Sequence, residues 1–278
     1  MCDLISKEKR AIKLLRTVAK TADGAIELSY SGGKDSDVIL ALAKMAGINY
    51  RAIYKNTTID PPGTLAHCKA NEVEILRPKQ TFFELIEKSG FPSRFARFCC
   101  SELKEYKILD TAVQGIRRCE STKRAALYKE PVICRIYGSK ANHVNVVLPI
   151  LDWTDADVEN FVRSNSIQCH PLYYDTEGRF CVNRRLGCIG CPMASDNGLS
   201  DFKKYPRMVK TWCRAADKWL NKPFAQESNT RKYCMDGYEY FVMHTFFKGL
   251  NDFRLAKSGM FGTIDCKQFL QDYFKIQL

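Results

Sequence analysis

A six-residue segment rich in glycine and hydroxyl groups has the composition of a phosphate-binding loop. It reads Ser-Gly-Gly-Lys-Asp-Ser and lies between a predicted strand and a predicted helix. Glycine lets the backbone approach a phosphate closely, and the start of a helix directs free N–H groups and a positive dipole end toward it. Lysine adds a charge and serine adds hydrogen-bond donors. The segment therefore predicts a phosphate site made of Ser31, Gly32, Gly33, Lys34, Asp35 and Ser36.

The loop sequence leaves one structural alternative open and disfavours one class of enzyme. A tight strand-to-helix turn without a ligand also uses a Gly-Gly pair. The spacing differs from Gly-x-x-x-x-Gly-Lys-[Ser/Thr], the loop of kinase-like and GTPase-like proteins, so transfer of a γ-phosphate is disfavoured.

A second segment, residues 115–124, places cations around an acceptor and a donor. Its polar members include Arg117, Arg118, Glu120, Ser121, Lys123 and Arg124. The Gly-Ile pair before them is typical of a strand end, where open α/β sheets hold ligands. A guanidinium can bind two phosphate oxygens at once through its planar fork. Because basic patches also occur on solvated surfaces, composition alone leaves both interpretations open.

Two cysteine pairs stand out among the 13 cysteines, Cys99-Cys100 and Cys188-x-x-Cys191. Four thiolates are the number required by a [4Fe–4S] cluster or a tetrahedral zinc ion. The odd total and a reducing compartment argue against a disulfide framework. Inert, buried thiols are the alternative. The spacing therefore predicts Cys99, Cys100, Cys188 and Cys191 as metal ligands, and it leaves the reactivity of Cys181 and Cys266 open.

Strands and helices alternate along the first part of the chain, which predicts an α/β fold: a parallel twisted sheet with helices on both faces. The predicted strands are 25–30, 50–54, 73–76 and 144–151. The predicted helices are the first 20 residues, 36–46, 82–88, 155–163 with Thr154 as its N-cap, and 206–220. A long loop is expected over 173–200. We expect an α/β nucleotide-binding domain with the cysteine loop over 1–200, and a mostly helical segment over 201–278.

Composition and charge exclude several classes of protein. The chain has 278 residues, 45% of them hydrophobic and 27% charged, which excludes a disordered or collagen-like protein. No apolar run reaches the roughly 18–20 residues that span a bilayer, and residues 1–10 lack the apolar stretch of a secretory signal. We therefore expect a cytoplasmic protein without a membrane partner. The net charge of +12 favours a polyanionic partner or substrate.

Five motifs, taken in order, resemble those of a known family. Ser-Gly-Gly-Lys-Asp-Ser is similar to the PP-motif of the N-type ATP pyrophosphatases, which cleave ATP between its α- and β-phosphates and adenylylate a substrate. The full set resembles the phosphoadenosine phosphosulfate (PAPS) reductase family over about residues 25–195. The motifs are 31–36, 98–104, 115–124, 148–154, and 170–173 followed by 187–192.

The resemblance implies a fold, a set of ligands and a set of site residues. The fold would be adenine nucleotide alpha hydrolase-like, a Rossmann-like arrangement. ATP would bind to the phosphate loop with Arg117, Glu120, Ser121 and Arg124, and the catalytic residues would be Lys34, Asp35, Arg117 and Arg124. Mg²⁺ would enter with ATP, held in part by the Asp35 carboxylate. Family members with this cysteine set bind a [4Fe–4S] cluster, so the resemblance favours iron over zinc.

The chain departs from the sulfonucleotide reductases of this family in two features. Those enzymes attack with a cysteine in a C-terminal Glu-Cys-Gly-Leu-His segment, whereas the last cysteine here, Cys266, lies in Ile-Asp-Cys-Lys-Gln. Their phosphate loop is degenerate, whereas this one is intact. We therefore expect an ATP pyrophosphatase that serves sulfur insertion, similar to the DNA-phosphorothioation enzymes of the DndC type. A sulfonucleotide reductase, a tRNA-thiolating enzyme and a non-catalytic nucleotide-binding regulator are the alternatives.

The C-terminal part bears on the acceptor. Residues 203–257 hold 12 Lys and Arg against 5 Asp and Glu. Their aromatic residues include Trp212, Trp219, Tyr233, Tyr238, Tyr240, Phe246 and Phe247. Cations interleaved with aromatics suit a nucleic-acid backbone and its unstacked bases, so we expect DNA as the partner. The resemblance to sulfur-inserting enzymes implies a cysteine desulfurase as the sulfur donor. The alternative is a helical cap with a buried aromatic core, which the helical phase of Trp212 and Trp219 favours.

Overall fold

The chain divides into two units, and the computed structural model describes residues 2–137, 142–258 and 264–278. Unit 1 comprises Met1–Asn56, Asp60–Pro78 and Ser101–Gly187. Unit 2 comprises Thr57–Ile59, Lys79–Cys100 and Cys188–Leu278. This division differs from the expected single boundary after residue 200, because the last crossing follows Gly187 and two upstream segments belong to unit 2.

The described residues form six strands and fourteen α-helices. The strands are β1 (Ile26–Tyr30), β2 (Tyr50–Lys55), β3 (Glu74–Leu76), β4 (Thr111–Val113), β5 (Val132–Tyr137) and β6 (Asn142–Val147). The first seven helices are α1 (Cys2–Thr21), α2 (Lys34–Ala46), α3 (Thr64–Ala70), α4 (Phe82–Ser89), α5 (Phe98–Leu103), α6 (Thr122–Leu127) and α7 (Asp155–Ser164). The others are α8 (Leu199–Lys204), α9 (Arg207–Leu220), α10 (Pro223–Gln226), α11 (Asn229–Tyr233), α12 (Gly237–Phe246), α13 (Leu250–Lys257) and α14 (Cys266–Phe274).

Unit 1 is built on a six-stranded sheet with the order β3-β2-β1-β4-β6-β5. Every neighbouring pair is parallel except β5 and β6, which are antiparallel. The prediction of a mostly parallel sheet with helices, followed by a helical C-terminal region, is confirmed. The chain runs from β1 outward to β3 and then returns to the other side of β1 with β4. This reversal creates a crevice at the carboxyl ends of β1 and β4, where open α/β sheets bind ligands.

The two faces of the sheet carry separate apolar clusters, because successive strand residues point to opposite faces. Val113 and Val147 join the cluster that packs α1, α2 and α7. Their neighbours Ala112 and Val146 join a second cluster, which includes Tyr128 at the C-terminal end of α6. The predicted N-cap of α7 is confirmed: Thr154 and Asp157 form a reciprocal capping box.

Unit 2 contains an aromatic core in which Trp212 is 1% exposed. The Trp212 ring centroid lies 5.2 Å from those of Phe82 and Phe202 and 5.1 Å from that of Phe91. Helix α9 packs against α4 and α12. Among the described residues of the chain, none of the helices is long and apolar enough to cross a membrane.

Candidate nucleotide site and cysteine group

The phosphate loop follows β1 directly, and its two glycines meet steric demands. Gly32 adopts φ +76, and a Cβ added to it would lie 3.1 Å from Thr64 Cγ2. Gly33 occupies the N-cap position of α2, so no side chain there occupies the N-terminal amides. The Ser36 hydroxyl donates to the Gly33 carbonyl at 2.6 Å and holds the turn closed. The loop thus presents backbone and a helix start at the sheet crevice.

A buried guanidinium is bonded to this loop. Arg117 is 1% exposed, and its Nε lies 2.7 Å from Asp35 Oδ1. Its Nη2 lies 2.9 Å from Asp155 Oδ1, while Lys34 Nζ lies 3.1 Å from Asp35 Oδ2. Burial lowers the pKa of Arg117, but the nearby charge of Asp35 and the bond to Asp155 outweigh it, so the net direction is upward. Arg117 therefore stays charged, and it fixes the position of Asp35.

The chain after β4 approaches the loop at Gly115. A Cβ added to Gly115 would lie 2.9 Å from the Asp35 carbonyl oxygen and 3.1 Å from its Cβ. Real Cβ atoms do not sit this close to backbone, so only glycine permits the contact. The strand end predicted from Gly115 and Ile116 therefore packs directly on the phosphate loop.

The remaining residues of the predicted arginine motif form one connected group. Glu120 accepts a hydrogen bond from the Arg117 backbone N–H at 3.0 Å and is also ion-paired with Arg124. Ser121 caps α6 by accepting from the Arg124 backbone N–H at 3.2 Å. Burial lowers the pKa of Arg124, on which the charges of Asp35, Arg185 and Arg117 also act. Sequence reasoning did not single out Arg185. Its only signal was a basic pair just before the cysteine loop.

Tyr173 and His170 belong to the packing around the loop. The Tyr173 hydroxyl accepts hydrogen bonds from the backbone N–H groups of Lys34 and Leu186, the latter at 3.3 Å. Lys34 Nζ lies 5.7 Å from the Tyr173 ring centroid. His170 is 1% exposed, and its Nδ1 accepts from the Leu172 N–H at 3.1 Å. His170 therefore orders its own turn, whereas Tyr173 touches the phosphate loop.

A buried polar clamp that no sequence motif predicts closes the base of the loop. Tyr30 precedes the loop, Asp37 follows it, and the Tyr30 hydroxyl donates to the Asp37 carboxylate. His67 Nε2 lies 2.9 Å from Asp37 Oδ1. Burial raises the pKa of Asp37, although its bond to His67 opposes the shift. The clamp ties β1, α2 and α3 together beneath the six loop residues.

The four predicted metal ligands all lie in unit 2. The pKa of Cys99 is raised, first by its hydrogen bond with Cys100 and then by burial and the neighbouring charges of Cys188 and Cys191. In the part of the chain that the structure describes, no group of three or more His, Cys, Asp or Glu side chains is spaced to hold a metal ion. The four thiols are near one another and match the donors of a [4Fe–4S] cluster, which stays a prediction.

Backbone packing fixes the Cys-x-x-Cys loop. A Cβ on Gly190, which has φ +73, would lie 2.5 Å from Phe202 Cζ and 2.7 Å from Trp212 Cζ2. The Gly190 N–H donates to Asp201 Oδ2 at 3.1 Å. Of the other thiols considered, Cys266 is 4% exposed and burial raises its pKa to about 12, so it is not an available thiolate. This burial is a further difference from the sulfonucleotide reductases, which attack with their C-terminal cysteine.

The aromatic residues of 203–257 do not form an open stacking surface. Trp212, Trp219 and Tyr240 are buried, as the helical phase predicted for the two tryptophans. The other four named aromatics are half-buried: Tyr233, Tyr238, Phe246 and Phe247. Most of these rings therefore fit the alternative interpretation, a helical cap with a buried aromatic core.

Comparison with protein families gives the chain a place among known proteins. The family model of the phosphoadenosine phosphosulfate reductase domain matches residues 25–194. The chain belongs to this family. The matched range contains the phosphate loop, the arginine group and all four predicted metal ligands.

Two relatives illustrate the range of similarity. An uncharacterized protein of Methanocaldococcus jannaschii is 31% identical over 229 residues, which cover 76% of this chain and 53% of that protein. Sulfate adenylyltransferase subunit 2 of Psychromonas ingrahamii is 26% identical over 200 residues, which cover 60% of this chain and 66% of that protein. The chain thus spans about half the length of the first relative and about two thirds of the second.

Two solved structures are also similar. The U34-tRNA thiolase of Methanococcus maripaludis with its [4Fe–4S] cluster has a TM-score of 0.44 at 14% identity, over 93% of this chain and 89% of that chain. The phosphoadenylyl-sulfate reductase of Candida auris has a TM-score of 0.44 at 15% identity, over 66% of this chain and 93% of that chain. At these scores neither similarity identifies a ligand or a reaction of this chain.

Proposed function

We propose that this member of the PAPS reductase domain family is an ATP pyrophosphatase, which transfers AMP to an acceptor that then receives sulfur. The observation that carries the proposal is the buried Arg117, bonded to Asp35 of an intact phosphate loop. The charges of Asp35 and Arg117 also act on Arg124. Such fixed cations stabilise a charged transition state because they need no reorganisation during the reaction.

The proposed reaction assigns a role to each group. The triphosphate lies on residues 31–36, with Lys34, Arg117 and Arg124 offsetting its charge. Asp35 holds Mg²⁺ together with phosphate oxygens, an arrangement that this ion prefers. An acceptor oxygen attacks the α-phosphorus, and pyrophosphate leaves with the electron pair of the broken P–O bond. A sulfur nucleophile then displaces AMP. Positioning and charge neutralisation supply most of the rate enhancement.

The cysteine group supports a sulfur-linked role. Cys99, Cys100, Cys188 and Cys191 would hold a [4Fe–4S] cluster, which would supply iron–sulfur chemistry for the reaction. A cysteine desulfurase would deliver the sulfur. We propose nucleic acid as the acceptor class, with the DNA backbone as the first to test, because unit 2 has 18 Lys and Arg against 11 Asp and Glu.

The experiment is to measure AMP and pyrophosphate release from Mg-ATP by anaerobically purified protein supplied with sulfide, with and without oligonucleotide. With the oligonucleotide we expect AMP and pyrophosphate in equal amounts and no ADP. Arg124→Met should reduce this release by at least about 10-fold, because a charge-assisted bond contributes roughly 1.5–3 kcal/mol. Arg163→Met is the matched control, since that exposed arginine is ion-paired with Glu159 of the same helix, α7. ADP as the product, or equal effects of both variants, would refute the proposal.

A further inference from the structure

Phe95 is the most exposed large apolar side chain among the residues that the structure describes. Its relative exposure is 101%, whereas the exposed Phe224 of the same unit reaches 60%. Isolated apolar residues are common on protein surfaces, but they usually lie partly against their neighbours. Both faces of the Phe95 ring are therefore open to solvent and free to stack on a ligand.

The turn that carries Phe95 is held by its own hydrogen bonds. The Ser93 backbone N–H donates to the Ala96 carbonyl at 3.1 Å. The Ser93 hydroxyl oxygen accepts from the N–H groups of Phe95 at 3.3 Å and Ala96 at 3.0 Å. These hydrogen bonds close the turn and fix the backbone of Phe95 at its tip. The outward direction of the ring follows from this closed turn.

Arg94 ties the turn to the segment that follows Cys191. Its Nε donates to the Pro192 carbonyl at 3.0 Å, and its Nη2 donates to the Ala194 carbonyl at 2.9 Å. All of these residues belong to unit 2. The exposed ring is therefore braced beside the two chain segments that carry the cysteine pairs.

The surroundings of Phe95 are cationic. Arg97 is exposed, and among the described residues its guanidinium makes no hydrogen bond or ion pair, while its backbone carbonyl accepts from the Cys100 N–H at 2.9 Å. Unit 2 carries a formal charge of +7. A docking surface for a folded protein combines several apolar side chains with a polar rim, whereas here a single ring stands between two arginines. A flat apolar ring beside cations matches a nucleobase and its phosphate.

We propose that Phe95 stacks on an unpaired base of a single-stranded nucleic acid while Arg97 contacts an adjoining phosphate. The inference deepens the proposed function, on which it rests for its biological role, by naming the form of the acceptor. Stacking requires a base that is free of its pair, so a single strand is bound in preference to a duplex. The contact is tolerant of sequence, because every base has a π-face.

The test measures binding of fluorescent oligonucleotides by anisotropy, using the full chain without ATP. The probes are a dT 12-mer, a U 12-mer and a 12-base-pair duplex, so the two kinds of single strand are compared. Phe95→Ala should weaken binding of the preferred single strand by about 5- to 150-fold, the range for loss of one base stack. Phe95→Trp should retain affinity, whereas Phe95→Leu should lose it. Phe224→Ala is the matched control and should bind as the unchanged protein does.

The salt dependence separates the two contacts. Arg97→Gln should reduce the slope of log affinity against log salt by about 0.7, the value for one phosphate contact on a single strand. Phe95→Ala should leave that slope unchanged, because a phenyl ring carries no charge. Circular dichroism of each variant confirms the fold.

Several results would overturn the inference. These are wild-type affinity in Phe95→Ala, full affinity in Phe95→Leu, equal binding of the duplex, or no binding of any probe at low salt. AMP release from ATP is measured separately on the same samples. If the unchanged protein binds the single strand through Phe95 but releases no AMP from ATP, the proposed reaction is refuted and the stacking contact stands. If it releases AMP but its binding does not depend on Phe95, the stacking contact is refuted and the proposed reaction stands.

Discussion

A single added methyl group at Gly115 should disable the phosphate loop. The variant Gly115→Ala places a Cβ 2.9 Å from the Asp35 carbonyl oxygen, 3.0 Å from its carbonyl carbon and 3.1 Å from its Cβ. All three atoms belong to the loop residue that Arg117 and Lys34 hold. Because the backbone of Gly115 does not have a positive φ, the effect is steric and involves no backbone strain.

The magnitude follows from the overlap. Ordinary contact needs about 3.4 Å or more, so Asp35 must move by roughly 0.5 Å. Overpacking of this size costs about 1–3 kcal/mol of folding free energy, equivalent to roughly 2–10 °C in Tm. A misplacement of 1 Å at a reacting centre costs about 100-fold in rate, so half of that distance should cost about 10-fold. We therefore expect kcat/KM for ATP to fall by about 10- to 100-fold.

The assay compares AMP release by Gly115→Ala and by a control, Gly249→Ala, well below both melting temperatures. A Cβ at Gly249 meets nothing within 4 Å, and its φ of 165 is extended, so this variant should match the unchanged protein. Wild-type turnover by a folded Gly115→Ala would refute the assignment of the phosphate site to this loop. Equal losses in both variants would show that the contact of Gly115 with Asp35 is not the cause of the loss.

Three further predictions concern single residues. Asp35→Asn removes the charge that Arg117 and Lys34 share, and we expect Mg²⁺-dependent ATP turnover to fall at least about 10-fold, whereas unchanged turnover would exclude a metal role for Asp35. Burial lowers the pKa of His244 from 6.5 to about 4. The unfolded chain therefore takes up a proton below pH 6.5 while the folded chain does not, so the free energy of unfolding should drop by about 2 kcal/mol between pH 7 and pH 5. Urea titrations of His244→Phe should show that much less acid sensitivity, and an unaltered pH profile would contradict the assignment. Cys188→Ser should lose iron and the visible absorption of a cluster after anaerobic reconstitution, whereas Cys213→Ser, at a buried position, should keep both. Equal iron in the two variants would refute the prediction of a cluster bound by Cys188.

Local chemistry made the centre of the candidate site readable from the sequence. The phosphate loop is specified within six consecutive residues, and a strand end could be placed before Arg117 from two residues. The helical phase of Trp212 correctly indicated burial. These features depend on neighbours within one or two helical turns, which a sequence displays directly.

Features that depend on distant residues were missed. β4 has three residues and α3 has seven, too few to show a period. β5 is an edge strand that pairs antiparallel with β6. The predicted strand 144–151 proved to be β6, Asn142–Val147, which ends before the turn at Pro149. The Asp37–His67 bond joins residues 30 positions apart, and only the fold brings them together.

The measurement that tests the central proposal most directly is nucleotide affinity by calorimetry on anaerobically purified protein. Mg-ATP is compared with adenosine phosphosulfate and with its 3′-phosphorylated form. We expect Mg-ATP to bind most tightly, because the phosphate loop is intact and Arg117 and Lys34 are fixed at its Asp35. Tighter binding of either phosphosulfate would contradict an ATP pyrophosphatase and would favour a sulfonucleotide reductase.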